Sequence, residues 1–339
     1  MAWPFPSPEL PPEPRIEAGA EELTWQAPPA PAPEKPPPLA AVRRALALHQ
    51  LWLEGSPDGT RAELEGVELE QPRLGGLRFD RALLRRLAWP GAQCAGSTWN
   101  EAEAAACDFS LAQLGPAPMT ASRWARCRFD MASLSGADLC EAQLEECGCE
   151  ELKAAGSRWM EARLARVNFT GAHLRAAAFH HARALETSFA GADLEEALFY
   201  RAELQLCRFQ NARAARAHFG LAQLQHCDFG RADLRGARFG RARIAVGLFH
   251  QADLREADFR GAELRACVFT GARLAGARFL DARTFGADFR GANLTGARDL
   301  TARQLAQALT SNATLLPNGQ PGPYLRGSGA ERPAWRGGG

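Results

Sequence analysis

The feature that most constrains this chain is a five-residue period. Residues 231–240 read RADLRGARFG, the next ten RARIAVGLFH, and the ten after those QADLREADFR. Leu or Ile holds the fourth place of each ten and Phe the ninth, with Ala second and Ala or Gly seventh. A helix would place its apolar residues at i, i+3, i+4 and i+7, so a strict step of five drifts around its surface. A simple strand alternates with period two and would lose the pattern after a few residues. A step of five fits a chain that turns a corner each time. Two residues of each unit then face inward, and three face outward or form the corner.

The register is long. Fourth-place residues include Leu64, Leu74, Leu84, Cys94, Leu114, Trp124, Leu134, Leu144, Leu164, Leu174, Leu194, Leu204 and Leu224. The ninth place is Phe at every ten from Phe169 to Phe289, preceded by Trp159, Cys149, Leu139, Phe129, Met119, Phe109, Trp99, Trp89 and Phe79. The pattern runs from about Ala62 to about Gly296 without insertion, which makes about 47 units. One unit cannot bury its own apolar side, so successive turns must stack to form a continuous core.

GADLE at 191–195, RADLR at 231–235, QADLR at 251–255 and GANLT at 291–295 resemble the A(D/N)LXX consensus of the pentapeptide-repeat family. The resemblance implies an all-β fold, a right-handed quadrilateral parallel β-helix with four units per coil. That gives about 12 coils and a rod roughly 55 Å long at the parallel strand spacing of about 4.8 Å. Alternating Leu and Phe units then imply two Leu faces and two Phe faces, each pair opposed.

The ends differ in composition. Residues 1–38 hold more than half of the 22 prolines, in runs such as APPAPAPEKPPP, and read as a Pro-rich disordered arm. Trp3, Phe5 and Trp25 are its candidate aromatic anchors for a partner. Residues 39–55, LAAVRRALALHQLWLEG, read as an amino-terminal capping helix with Val42, Ala45, Leu46, Leu48, Leu51, Trp52 and Leu53 on a broad apolar face. Such a helix would cover the open edge of the first coil. The repeat spans 61–297. The register breaks at Asp299, and Thr301 with Gln304 forms a capping box that opens a carboxy-terminal cap helix over 300–310. Residues 311–339 are expected to be a flexible tail.

Nine cysteines raise the question of metal or redox chemistry. Cys107, Cys127, Cys147, Cys207, Cys227 and Cys267 occupy the small inward place, Cys94 and Cys149 the large one, and only Cys140 points outward. Buried cysteines behave as small hydrophobes, and the usual CxxC pair is missing, so no metal site is expected. His173, His180, His181, His218, His226 and His250 all fall at outward or corner places and should be exposed, without a nucleophile beside them. There is no GxSxG, P-loop or GxGxxG motif. A flat-walled rod also lacks a cleft that excludes water. We therefore expect no enzyme, no cofactor and no catalytic residue. No apolar run is long enough for a bilayer, and the start MAWPFPSPEL lacks the form of a secretory signal. A cytoplasmic, bacterial protein with no membrane contact is the expectation.

Outward residues twenty apart should lie one coil apart. The run Arg126, Glu146, Arg166, Glu186 alternates in sign and suggests a ladder of surface ion pairs. Leu185, Leu198, Tyr200, Leu206 and Leu221 break the polar norm within about two coils and form a candidate partner-binding patch. Phe285 is expected to pack on the carboxy-terminal cap.

Some members of the family protect DNA gyrase by imitating a DNA duplex, which requires strong negative charge. Between Arg61 and Gly296 the chain carries about 31 basic and about 29 acidic side chains, so this rod is close to neutral. Nucleic-acid binding is also not expected, because arginines are interleaved with carboxylates. A non-enzymatic protein-binding scaffold or adaptor fits better. The join ALALHQLWLEGSPDGTRAELEGVEL resembles that of bacterial pentapeptide-repeat proteins linked to type VI secretion, which implies a secretion effector or apparatus component as partner. A gyrase-protecting mimic and a purely structural rod remain as alternatives.

Overall fold

The structure, a computed structural model, describes residues 38–333. Eleven three-residue strands, from β1 (Glu63–Glu65) to β11 (Glu263–Arg265), form one parallel sheet in sequence order. Each strand pairs with the strand twenty residues on, for example Arg243 with Glu263 and Ile244 with Leu264. Three further columns of parallel bridges share that interval, such as Asp228 with Leu248, Asp233 with Asp253 and Arg238 with Asp258. The chain is therefore a four-sided parallel β-helix with twenty residues per coil. We number its faces in chain order: face 1 carries the strands, and faces 2, 3 and 4 carry the bridges at Asp228, Asp233 and Arg238.

The ladder explains why the period tolerates no insertion. Asp253 N–H donates to Ala232 C=O at 2.9 Å, while Asp253 C=O accepts from Leu234 N–H at 2.8 Å. One extra residue would turn every inward side chain of that face outward. The corner falls two places after each large inward residue, and its φ is positive. His181, Arg201, Leu221 and Arg241 lie at φ 57°, 57°, 57° and 56°. L-residues rarely occupy this left-handed region. Here the coils on either side fix it, and many corners elsewhere are glycine.

The core follows from the alternation. Phe179, Phe199, Phe219, Phe239 and Phe259 stack on face 4 at 4.8–5.0 Å between ring centroids. Phe189, Phe209, Phe229, Phe249 and Phe269 stack on face 2 at 4.6–5.0 Å. The two columns meet edge to face across the core, as Phe229 meets Phe239 at 6.2 Å and 89°. Both arrangements suit the ring quadrupole. Leucines fill most inward places on faces 1 and 3, with Trp124, Ile244, Cys94 and a few alanines among them.

Each end has its own closure. Helix α1 (Pro38–Leu53) buries Val42, Leu46 and His49 against the first coil. Leu48 and Leu51, expected on the buried face, are exposed instead. The spacing i, i+4, i+7 selects a narrower stripe than the sequence suggested. His49 replaces part of the missing coil. Its Nδ1 accepts from Ala62 N–H at 3.0 Å, and its Nε2 lies 2.8 Å from Asp80 C=O as donor. At the other end, helix α2 (Ala302–Ala306) is shorter than the expected 300–310. The capping box holds: Thr301 Oγ1 accepts from Gln304 N–H at 3.3 Å, and Gln304 Oε1 accepts from Thr301 N–H at 2.6 Å.

The expectation of a loose tail from 311 needs correction through residue 333. Leu315 N–H donates to Ala292 C=O at 2.9 Å and Leu315 C=O accepts from Leu294 N–H at 2.8 Å, so the ladder continues. Leu316, Thr314 and Ala330 are buried. The last coil would otherwise expose a row of unpaired backbone groups. Phe285 does not pack on this closure and stays 66 % exposed. The cap is held instead through Thr284 Oγ1, which donates to Gln304 C=O at 2.8 Å.

Candidate partner-binding surface

The inward residues carry no accessible chemistry. Burial pushes the Cys94 and Cys267 thiols up to about 12, and partly buried Cys140 to about 11. These thiols stay protonated near neutrality. The cysteines on face 2 have a structural task. Cys147 Sγ–H donates to Trp124 C=O at 3.2 Å and Cys227 Sγ–H to Leu204 C=O at 3.3 Å, across the corner from face 1. Among the described residues no group of three or more His, Cys, Asp or Glu side chains could hold a metal ion. No helix among them is long and apolar enough to cross a membrane.

Outward residues at i and i+2 share a face, and this produces a recurring chelate. Arg235 Nε and Nη2 donate to Asp233 at 2.8 and 2.7 Å, and Arg290 binds Asp288 at 2.9 and 2.7 Å. These guanidinium groups hold both carboxyls below their usual range. The expected ladder from Arg126 to Glu186 is reduced to one rung. Arg166 bonds Glu146 at 3.1 Å and Glu145 at 2.6 Å, and among the described residues it forms no ion pair with Glu186. Its guanidinium is already occupied on the preceding coil.

Four of the residues singled out in sequence, Leu185, Leu206, Tyr200 and Leu221, line three separate depressions. Leu185, in β7 (Arg183–Leu185), lines a shallow hollow on face 1 with Gln205 and Gln225. Leu206 lies at the corner beyond it and lines a depression on face 2 with Ser188 and Arg208. The two are 37 % and 43 % exposed. Leu198 and Tyr200 lie on face 4 and are half-buried, with Leu221 at its far corner. Tyr200 and Leu221 line a groove of about 830 Å³. Trp3, Phe5 and Trp25 lie outside the described residues.

The face 4 groove includes residues that the sequence reading did not group. Tyr200 is flanked by His180 at 6.3 Å and His218 at 5.5 Å between ring centroids, and Arg201 lies 5.3 Å over its ring. His180 and His218 are half-buried rather than exposed, and burial lowers both pKa values. Gly220, Gly240, Arg238, Arg241, Arg260 and Arg278 carry the lining toward Leu280, with Glu256, Asp258 and Asp281 among them. The signal was available as a column at interval twenty: His180, Tyr200, Gly220, Gly240, Arg260.

A family model described as pentapeptide repeat region matches residues 162–239, and a second, pentapeptide repeats in eight copies, matches residues 248–283. The chain belongs to the pentapeptide-repeat family. No curated protein sequence matches it. Among solved structures this pentapeptide-repeat protein is similar to HetL of the cyanobacterium Nostoc sp. strain PCC 7120, a pentapeptide repeat protein involved in heterocyst differentiation regulation. The identity is 25 % and the TM-score 0.57, over 62 % of this chain and 92 % of HetL. QnrB1, a plasmid-mediated fluoroquinolone resistance protein, aligns at 19 % identity and TM-score 0.27 over 74 % of this chain and 90 % of its own. A protein from the Arabidopsis thaliana thylakoid lumen aligns at 30 % identity and TM-score 0.16 over 30 % of this chain and 67 % of its own.

Proposed function

We propose that this pentapeptide-repeat protein is a non-enzymatic scaffold that binds another protein along its outer faces. The observation that carries the reading is the separation of labour in the repeat. Inward places are fixed by packing, while outward places vary freely and include apolar and aromatic residues set in open grooves on faces 1, 2 and 4. An open groove with apolar and aromatic side chains in its lining, as at Tyr200 and Leu221, offers a partner a place to dock. The near balance of about 31 basic and about 29 acidic side chains over the repeat argues against imitation of a DNA duplex. The resemblance of the cap-to-repeat join to that of type VI secretion-associated proteins favours a secretion effector or apparatus component as partner.

The test is affinity capture from the native host with cross-linking and mass spectrometry, using the full chain. Parallel captures use the double variant Leu198→Ser, Tyr200→Ser and a chain lacking residues 1–38. An effector or secretion component cross-linked to the outer faces supports the reading. Gyrase subunits captured instead would replace it with the mimic, and the absence of any cross-linked partner would leave a structural rod.

A further inference from the structure

We propose that the face 4 groove docks an extended acidic segment of the partner, one that also carries an aromatic side chain. This rests on the scaffold reading and gives that reading a site and a partner chemistry.

The groove exists because a stacked column is interrupted. On face 4 the column runs His180, Tyr200, Gly220, Gly240, Arg260, Leu280. Two successive glycines open it between Tyr200 and Arg260, three coil steps or about 14 Å. The two glycines do different things. A Cβ at Gly220 would come within 2.8 Å of His218 Cε1 and 3.5 Å of Tyr200 Cδ2, so glycine there lets the rings lie across the backbone. A Cβ at Gly240 would meet only Arg260 C=O, at 3.8 Å. Packing does not require the second glycine, yet it keeps the floor open.

The walls define a ligand. At one end Tyr200, with His180 and His218 beside it, offers a cluster of rings for stacking. Burial keeps the two imidazoles uncharged near neutrality. Along the sides, Arg238, Arg241 and Arg278 form no ion pair among the described residues. That sets them apart from Arg235, Arg255, Arg260 and Arg290, each of which chelates a carboxylate two residues earlier in the chain. Asp258 is held by Arg260 at 2.7 Å. A guanidinium fork suits a carboxylate.

Spacing favours an extended peptide. Arg238 and Arg278 stand two coils apart on one column, about 9.6 Å. A polyproline II segment places side chains i and i+3 on one side about 9.3 Å apart. Two glutamates at that spacing would meet both arginines. Nucleic acid fits less well, because Asp258 separates the two arginines and Glu256 and Asp281 also line the groove. These carboxylates oppose a continuous row of phosphates.

The test uses fluorescence anisotropy with a fluorescein-labelled, proline-rich peptide that has two glutamates three positions apart and a tryptophan ahead of them. A matched peptide has lysines in place of the glutamates. The glutamate peptide is expected to bind the full chain and the lysine peptide not to bind. Tyr200→Ala, Arg238→Ala and Gly240→Leu should each weaken binding at least about tenfold, while Arg213→Ala on face 3 leaves it unchanged. Gly240→Leu should keep the parental melting temperature, because its Cβ meets no clash. Equal binding of the two peptides, or parental affinity in Gly240→Leu, would overturn the proposal. So would an oligothymidylate that binds more tightly than the peptide and loses its binding in the same variants. A host partner still captured by Gly240→Leu would sink the groove while leaving the scaffold reading intact.

Discussion

At the scale of single residues, the core shows how a large polar-tipped side chain is admitted. Trp99, Trp124 and Trp159 each have a serine two places earlier. The indole N–H of each donates to that serine Oγ at 2.7 Å. The serines pass the bond on, as Ser157 Oγ donates to Ala154 C=O at 2.6 Å. The sequence carries this as STW, SRW and SRW, against LAW at Trp89. With Leu87 in place of serine, Trp89 Nε1 has no partner. Ser157→Ala should therefore destabilise by about 1–3 kcal/mol, the usual penalty of a buried donor left unpaired. Adding Trp159→Phe to that variant should recover part of the loss, and Trp89→Phe alone should raise the melting temperature. Thermal denaturation of the four proteins decides it, and a neutral Ser157→Ala would show that the bond contributes nothing. The inward places were legible in sequence because every unit repeats them. The serines stood out less, since a small residue at their place is the norm and only its oxygen distinguishes it.

At the scale of elements, the two caps solve one problem with different chemistry. A stacked coil ends in a row of backbone groups that would pair with another chain. At the carboxy end the chain extends the ladder with Leu309 and Leu315, which sequence periodicity could not show because the five-residue step has ended there. At the amino end α1 presents His49, which a reading for apolar faces passes over as polar. Its side chain is fully buried, with Asp80, Arg61 and Arg78 around it and Trp52 stacked at 5.4 Å. Burial lowers its pKa below the ordinary value of 6.5. Protonation would also remove the Nδ1 lone pair that accepts from Ala62 N–H. A base with a depressed folded pKa binds protons more readily when unfolded, so stability rises with pH in that window. The contribution is complete above about pH 6.5 and is lost as pH falls through the lowered folded value. Protection of the Ala62 amide and of α1 against hydrogen exchange, taken relative to the intrinsic rate at each pH, should fall as the pH drops below about 6.5, and His49→Gln should flatten that dependence. Unchanged protection at Ala62 as the pH falls would show that the imidazole does not latch the cap.

At the scale of the whole repeat, the fold turns distance along the chain into position around a coil. Residues near one another in sequence, such as Leu198 and Leu206, end on different faces. Tyr200 and Arg260 end on the same column. That is why the candidate patch looked continuous in sequence and separates into three depressions in space. The architecture was legible because its period is redundant. The surface was not, because outward places carry no period and their neighbours are set by stacking. The same geometry makes stability nearly one-dimensional, since each coil touches only the coils before and after it. Phe229 stacks between Phe209 and Phe249 at 4.6 and 4.9 Å and meets Phe219 and Phe239 edge to face. Phe229→Ala should remove those contacts at a cost of about 3–5 kcal/mol. In an array coupled through neighbours the loss should be local first. Hydrogen exchange should rise in coils holding residues 209–249 while residues 79–129, near the amino-terminal cap, keep their parental protection. If protection falls equally along the whole array, the coils are coupled so tightly that the rod unfolds as one unit, and nearest-neighbour behaviour does not describe it.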